Sequence, residues 1–266
     1  MIGTKEKKQI MRKRLGQHFI FDKNMLNKIL NCSDVTTNDT VIEIGPGLGT
    51  LTNIMADRVK KVIAIEYDKK LIDKLKENVH QKSNIKIITA DALKFPYESI
   101  RGKVKVIANI PYYITTPLIF RLLEYKEKIT TMTLLLQKEV AKRIVASPGT
   151  KDYGVLSIST QLYTKPALQF TVTRKVFVPP PDVDSAVVHF EVSPVSLYKI
   201  SDLLLFKDLV KTAFSQRRKT ILNSLKKFDG IENVLTKTGI DPKLRPENLS
   251  IDDFARLSEA INLHYS

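Results

Sequence analysis

The run Asn109-Ile110-Pro111-Tyr112-Tyr113 follows an apolar stretch, "VKVIAN", and carries groups that a plain turn does not need. Asn109 offers an amide oxygen that accepts a hydrogen bond. Pro111 fixes its own φ and stiffens the loop, which would aim the Ile110 carbonyl in one direction. Two acceptors converging on one point suit an exocyclic amino group with two hydrogens, and the Tyr112 ring beside them suits a nucleobase face. Taken by itself, the run is also a proline turn with one packed tyrosine. A second group of residues stands upstream: "EIGPGLGTL" sets Glu43, Gly45, Gly47 and Gly49 at the end of one apolar run, Glu66 ends the next, and Asp91 follows the third in "TADAL".

Closely spaced glycines between a strand and a helix bring bare backbone up to a ligand. The spacing here is G-x-G-x-G, not the G-x-G-x-x-G of dinucleotide sites. Glu66, at the end of the second strand, is placed for ribose hydroxyls, and Asp91 for an adenine amino group. Either acid could instead cap the turn that follows it. Two carboxylates and no basic phosphate clamp fit a nucleoside without phosphates. S-adenosylmethionine is such a nucleoside, with a positive sulfonium, and Glu43 near the loop adds negative potential. NAD would bring a pyrophosphate that needs helix N-terminal amides and would not call for Asp91. The chemistry then expected is methyl transfer to an adenine amine. That nitrogen is a poor nucleophile because its lone pair is delocalised into the ring. Acceptors gripping its hydrogens favour pyramidalisation and turn the lone pair toward the methyl, and proximity carries most of the rate. No general base is required, because the proton can leave to water after transfer.

The elements that must hold these residues are legible in the hydrophobic pattern. The segments 40–45, 61–66, 85–90, 104–109 and 131–136 are β-branched and nearly continuous in hydrophobicity, as strands covered on both faces are. Amphipathic stretches separate them. "DKKLIDKLKENVH" places Leu71, Ile72, Leu75 and Val79 on one stripe, and "TPLIFRLLEY" opens with Thr116 as cap and Pro117 at the first helical position. The alternation predicts a Rossmann-like, mostly parallel, doubly wound α/β sheet, with ligands beyond the carboxyl ends of its strands. After residue 165, "LQFTVTR" and "SAVVHFEV" read as strands separated by "VPPPD". After Pro194 the chain turns helical: "FKDLVKTAFSQRRKTILNSLKKF" is one broken helix or a pair, and "SIDDFARLSEAINL" a helix capped by Ser250. The expected division is a methyltransferase domain over 1–194 with a basic N-terminal arm, and a small all-helical RNA- or ribosome-binding domain over 195–266.

Composition narrows the partners. The 266 residues hold 43 Lys+Arg against 28 Asp+Glu, a formal charge of +15 that suits a polyanion. The only cysteine, Cys32, excludes an internal disulfide and a Cys-rich metal site, which fits a reducing cytoplasm, and no metal is expected. No apolar run approaches the length of a membrane span. Arg12, Lys13 and Arg14 in the arm, and Arg217, Arg218 and Lys219 in "SQRRKT", are the candidate phosphate contacts; each run could equally be a solvated face. Nothing in the sequence suggests more than a monomer.

"EIGPGLGTLT", "ADAL" and "NIPYYITTP" resemble the class I adenine-N6 methyltransferases. With "RKRLGQHFIFD", "YGVLSISTQ", "FVPPPDVDSAVV" and "FSQRRKTILNSL", nearly the whole chain resembles, in order, the ribosomal small-subunit RNA adenine dimethyltransferases, the KsgA family. That resemblance implies dimethylation of N6 on two adjacent adenosines in the 3′-terminal hairpin loop of small-subunit rRNA, late in subunit assembly, with S-adenosylmethionine as donor. It implies that His18, Ile20, Gly45, Glu66, Asp91 and Asn109 contact the donor. Tyr112 would stack on the target adenine, and Phe177, held by Pro179–Pro181, would close the other face. By residue type alone, His18 is a loop histidine and Phe177 a core residue. Related large-subunit rRNA enzymes that confer antibiotic resistance often have isoleucine where Ile110 stands, which keeps a large-subunit substrate as the alternative. A non-catalytic assembly or transcription factor on the same fold is disfavoured because the glycine loop, both acids and "NIPY" are intact.

Overall fold

A computed structural model describes residues 18–265. Arg12, Lys13 and Arg14 lie outside the described residues. The chain divides into two compact units. One holds the described residues up to Ala141 together with Lys165–Pro194; the other holds Lys142–Thr164 with the chain from Val195 onward. The break at residue 194 is where the sequence pattern changes. Residues 142–164, expected with the sheet, pack instead with the C-terminal helices. Tyr153 and Ile158 from that segment are fully buried in the same core as Phe206, Leu209, Phe254 and Leu257.

The first unit is built on a seven-stranded sheet. Strands β2 (Thr40–Ile44), β3 (Lys61–Glu66), β4 (Ile85–Thr89), β5 (Val104–Asn109), β6 (Ile129–Gln137), β7 (Thr164–Val172) and β9 (Ser185–Val192) lie in the order β4-β3-β2-β5-β6-β9-β7. The pairs among β4, β3, β2, β5 and β6 are parallel, and β9 runs antiparallel to β6. A second, two-stranded sheet pairs β1 (Phe19–Ile20) with β8 (Phe177–Val178). Val41, Ile42, Val62, Val106 and Ile107 are essentially inaccessible, as the unbroken apolar strands require. Chain order reverses between β2 and β5, so the loops leaving these two strands diverge and open a crevice at the switch point.

The helices follow their sequence signals with local differences. Helix α1 (Lys23–Asn31) is capped by Asp22, whose carboxylate accepts from the Asn24 and Met25 amides. Helix α2 (Thr50–Ala56) follows the glycine loop, and α3 (Lys69–Val79) buries the expected stripe of Leu71, Ile72, Leu75 and Val79. Helix α4 (Thr115–Glu124) begins one residue before the expected cap, led in by a 3-10 turn over Tyr112–Ile114. Pro117 therefore sits inside the first turn, where its missing N–H would have had no intrahelical partner. The division at residue 141 falls within α5 (Lys138–Ile144); in the second unit α6 (Val155–Gln161) follows, and "FKDLVKTAFSQRRKTILNSLKKF" breaks into α7 (Leu203–Ser215) and a four-residue α8 (Ile221–Ser224). Helices α9 (Ile231–Thr238) and α10 (Ile251–Tyr265) complete it. Ser250 caps α10 reciprocally: the Asp253 amide donates to Ser250 Oγ at 3.1 Å, and the Ser250 amide and hydroxyl donate to Asp253 Oδ2 at 2.8 and 2.7 Å.

Candidate active site

A cavity of about 350 Å³ opens at the switch point, a volume within the range of small-molecule sites. Gly45, Gly47, Glu66, Asp91, His18, Asn109, Ile110, Pro111 and Tyr112 are among the residues that line it. The topology explains the convergence, since these residues sit at or just past the carboxyl ends of β2, β3, β4 and β5, apart from His18, which β1 carries in.

The glycine loop is held in left-handed backbone, with φ of 69° at Gly45, 58° at Gly47 and 80° at Gly49. At Gly47 a Cβ would stand 2.6 Å from the Phe19 ring. That bare position is what lets β1 close over the loop. Gly49 has a different duty: its Cβ would meet Leu75 at 2.7 Å and Val79 at 2.9 Å, so it seats the loop on α3 and does not line the cavity. Glu66 is buried and braces the loop, accepting from the Gly47 amide at 3.1 Å and the Asp68 amide at 2.8 Å. Burial pushes its carboxyl above the usual range, with these amides and that of Tyr67 pulling it back. Asp91 does cap its own turn, accepting from the Leu93 amide at 2.9 Å, and it also faces the cavity.

Asn109 is oriented by a bond that the sequence does not disclose. Its Nδ2 donates to the His18 carbonyl at 2.7 Å, which fixes the amide and leaves Oδ1 as the acceptor on its other edge. Pro111, at φ −56° and ψ 130°, leads directly into the turn that carries the tyrosines. Tyr112 is half-buried, its hydroxyl 2.7 Å from Ser185 Oγ, and burial raises its phenol. His18 lies against Tyr112 with ring centroids 5.6 Å apart, and its Nδ1 is 2.8 Å from the Pro179 carbonyl.

Several expected residues stand elsewhere. Phe177 is 2% exposed, belongs to the apolar core with Ile20 and Val187, and touches His18 edge-on at 6.4 Å. With Ile20 opposite Phe177 in the β1–β8 pairing, the Phe177 ring lies in that core beside His18 and not in the cavity wall. Ile20 and Glu43 line a smaller cavity of about 40 Å³ behind the glycine loop. Glu43 is wholly buried, its Oε2 has no hydrogen-bond partner, and burial pushes its carboxyl up to about 8, with the Thr52 hydroxyl pulling it back and the nearby Glu66 charge adding to the rise. At neutral pH it holds its proton, so it does not supply the negative potential expected of it. In the second unit, Arg217 Nη2 donates to the carbonyls of Lys151 at 2.7 Å and Tyr153 at 3.1 Å, and pairs with Glu247 at 3.1 Å. Arg217 thus braces its own unit. Arg218 and Lys219 are exposed on the turn between α7 and α8, directly before Thr220, the N-cap of α8.

Tyr113 lines the cavity with the rest of the run from Asn109, whereas Phe19, Tyr67 and Leu93 in its wall lie outside the sequence expectations. Each of these three adjoins a residue or segment among those expectations, and adjacency was the available signal. Among the described residues, no group of His, Cys, Asp and Glu could hold a metal ion, and no helix is long and apolar enough to cross a membrane.

A mostly parallel sheet with this strand order, a glycine loop at its switch point and two acids lining the cavity there define a class I methyltransferase. Residues 8–263 match the family of ribosomal RNA adenine dimethylases, and the chain belongs to it. It is 42% identical over 268 aligned residues to "Ribosomal RNA small subunit methyltransferase A" of Bacillus mycoides (strain KBAB4), covering 95% of this chain and 92% of that one. The protein of the same name from Bacillus thuringiensis (strain Al Hakam) is equally similar. Among solved structures, a dimethyladenosine transferase from Plasmodium falciparum superposes with a TM-score of 0.75 at 29% identity, covering 90% of this chain and 96% of that one. The 23S rRNA methyltransferase ErmE superposes at 0.74 and 26%, covering 92% and 99%. The chain is an S-adenosylmethionine-dependent rRNA adenine dimethyltransferase.

Proposed function

We propose that this enzyme methylates N6 of two adjacent adenosines in the 3′-terminal hairpin loop of small-subunit rRNA, acting as a monomer on the assembling small ribosomal subunit in the cytoplasm. The observation that carries the catalytic part is the Asn109–His18 bond, which commits Nδ2 and leaves Oδ1 to accept. What favours the small subunit over the large is the 42% identity to the small-subunit enzymes across 95% of the chain, against 26% to ErmE.

When bound, S-adenosylmethionine supplies an electrophilic methyl on a sulfonium. Gly45 and Gly47 offer the close backbone approach, Glu66 and Asp91 the acceptors for ribose and adenine, and His18 the cover from the β1 side. Asn109 Oδ1 and the Ile110 carbonyl take the two hydrogens of the target amine and direct its lone pair toward the donor methyl. Tyr112, pinned by Ser185, presents its face to the base, and stacking returns about 1–3 kcal/mol toward the few kcal/mol of swinging the base out. Arg218 and Lys219, with Arg12, Lys13 and Arg14 of the arm, contribute phosphate contacts.

The test is transfer of labelled methyl to undermethylated small subunits, to large subunits and to duplex DNA, with the label then located. Label confined to N6 of two neighbouring adenosines in small-subunit rRNA is expected; label in large subunits or DNA refutes the substrate. Asn109→Ala tests the mechanism. It should keep its fold and bind donor within about threefold, yet turn over at least 100-fold more slowly, the usual scale for losing a transition-state contact. Wild-type turnover in that variant would remove Asn109 from the mechanism.

A further inference from the structure

Tyr67 and Tyr113 are 62% and 61% exposed, yet both line the cavity. Tyr67 follows Glu66 at the end of β3; Tyr113 sits in the 3-10 turn after β5, next to Tyr112. Consecutive residues in such a turn point about 120° apart. Tyr112 is committed to one direction, its hydroxyl held by Ser185 at the start of β9, which lies beyond β6 on one side of β5. Tyr113 is therefore directed away from the target-base position. On the other side of β5 stand β2, β3 and β4, whose ends carry Glu66, Tyr67 and Asp91. The charges that act on the Tyr113 phenol agree with this direction: burial is the leading cause of its rise, followed by Tyr67, Asp91 and Glu66. The Tyr112 phenol instead feels Asp184.

Two tyrosine rings thus border the end of the cavity that holds both acids. We infer that Tyr113 and Tyr67 form an aromatic clasp on the adenine of the methyl donor, so that the consecutive tyrosines divide the work: Tyr112 faces the RNA base and Tyr113 the cofactor. Planar rings that are solvated in the free protein gain most by covering a flat heterocycle. The clasp rests on the donor site proposed above, in which Glu66 and Asp91 hold the nucleoside. It adds a stacking contribution to hydrogen bonds that are open to competition from water.

Calorimetry with S-adenosylhomocysteine tests the idea, because the product keeps the nucleoside and lacks the reacting methyl. Tyr113→Ala should weaken its binding about tenfold, Tyr113→Phe should bind within about twofold of wild type, and affinity for a hairpin RNA of the 3′-terminal loop should be unchanged in both. Asp91→Ala separates the two levels of the argument. If Asp91→Ala binds the nucleoside normally, the donor site itself is misplaced; if it loses binding while Tyr113→Ala does not, only the clasp fails. A loss confined to RNA affinity in Tyr113→Ala would overturn the clasp in favour of a second RNA-stacking residue. Nitration by tetranitromethane gives a readout independent of the variants. Tyr67 and Tyr113 should react readily and be protected together by S-adenosylhomocysteine but not by the hairpin; equal reactivity with and without the nucleoside would refute the inference.

Discussion

Replacing Glu43 by Gln should change how stability depends on pH, and the sign follows from the burial. Glu43 sits in β2 at 2% exposure with Oε2 unpartnered, and its carboxyl is pushed from 4.5 to about 8. In the unfolded chain it loses its proton near 4.5; in the folded chain it keeps it to about 8. Between those values the unfolded state binds one proton fewer, so stability falls as pH rises, by about 1.4 kcal/mol per pH unit. Below 4.5 the favourable burial of the neutral acid is fully present, and above about 8 the loss levels off. The full interval corresponds to about 5 kcal/mol, and local relaxation and water entering the small cavity reduce this to about 2–5 kcal/mol. Gln keeps the shape and cannot titrate. Urea unfolding of the donor-free protein, wild type against Glu43→Gln, at half-unit steps from pH 4.5 to 8.5 should therefore show the stability difference moving in favour of Gln by about 2–5 kcal/mol and then flattening. An offset that stays constant across the range would mean that Glu43 ionises normally in the folded protein, and the reading of a neutral residue behind the glycine loop would be wrong.

Other outcomes follow from the same geometry. Gly49→Ala forces a Cβ onto Leu75 and Val79 at a left-handed φ, and should cost about 2–3 kcal/mol of stability measured by urea midpoint, with donor affinity of the folded protein nearly intact. Ser250→Ala removes the α10 cap bond to the Asp253 amide and should lower stability by about 1 kcal/mol by the same measurement. Reversing charge at Arg218 and Lys219 together should weaken affinity for hairpin RNA and flatten its salt dependence, leaving nucleoside binding unchanged in calorimetry. Including Arg217 in that reversal should add a loss of thermal stability, because Arg217 is bound to Lys151, Tyr153 and Glu247.

Local pattern carried much of this fold. β3, β5 and β9 coincide with the apolar runs because each is buried through most of its length, and a strand hidden on both faces leaves no ambiguity of period. β7 was drawn short because its burial is intermittent, as befits the edge of the sheet. The two-residue pairing of β1 with β8 gave no signal at all: two residues have no periodicity, and their partners are more than 150 positions apart. That pairing buries Phe177 and brings His18 to Asn109. The same limit applies to residues 142–164, whose apolar positions do not say which core they enter. At the site, the places of Gly45, Gly47, Glu66, Asp91 and Asn109 in the cavity wall were legible because they stand at strand ends, whereas Gly49, expected with them, packs on α3. Which acid would be neutral was not legible, since Glu43 and Glu66 are both buried and differ in whether backbone amides reach them.

Asn109 shows how the site is made rigid without dedicated catalytic groups. An amide side chain at the mouth of a cavity has two edges and no intrinsic reason to present either. Here the nitrogen edge is spent on the His18 carbonyl, and His18 is itself held by the Pro179 carbonyl and packed between Tyr112 and Phe177. Tyr112 is tied in turn to Ser185 on β9. The acceptor oxygen is thus fixed by a chain of contacts running through β1, β8, β9 and the loop after β5, all within one compact unit. In the mechanism proposed above, such preorganised acceptors would cost no reorientation as the amine pyramidalises, which is where a methyl transfer without a general base would find its rate. The packing of Phe177 belongs to this account: buried beside His18, it holds up the histidine whose carbonyl accepts from Asn109.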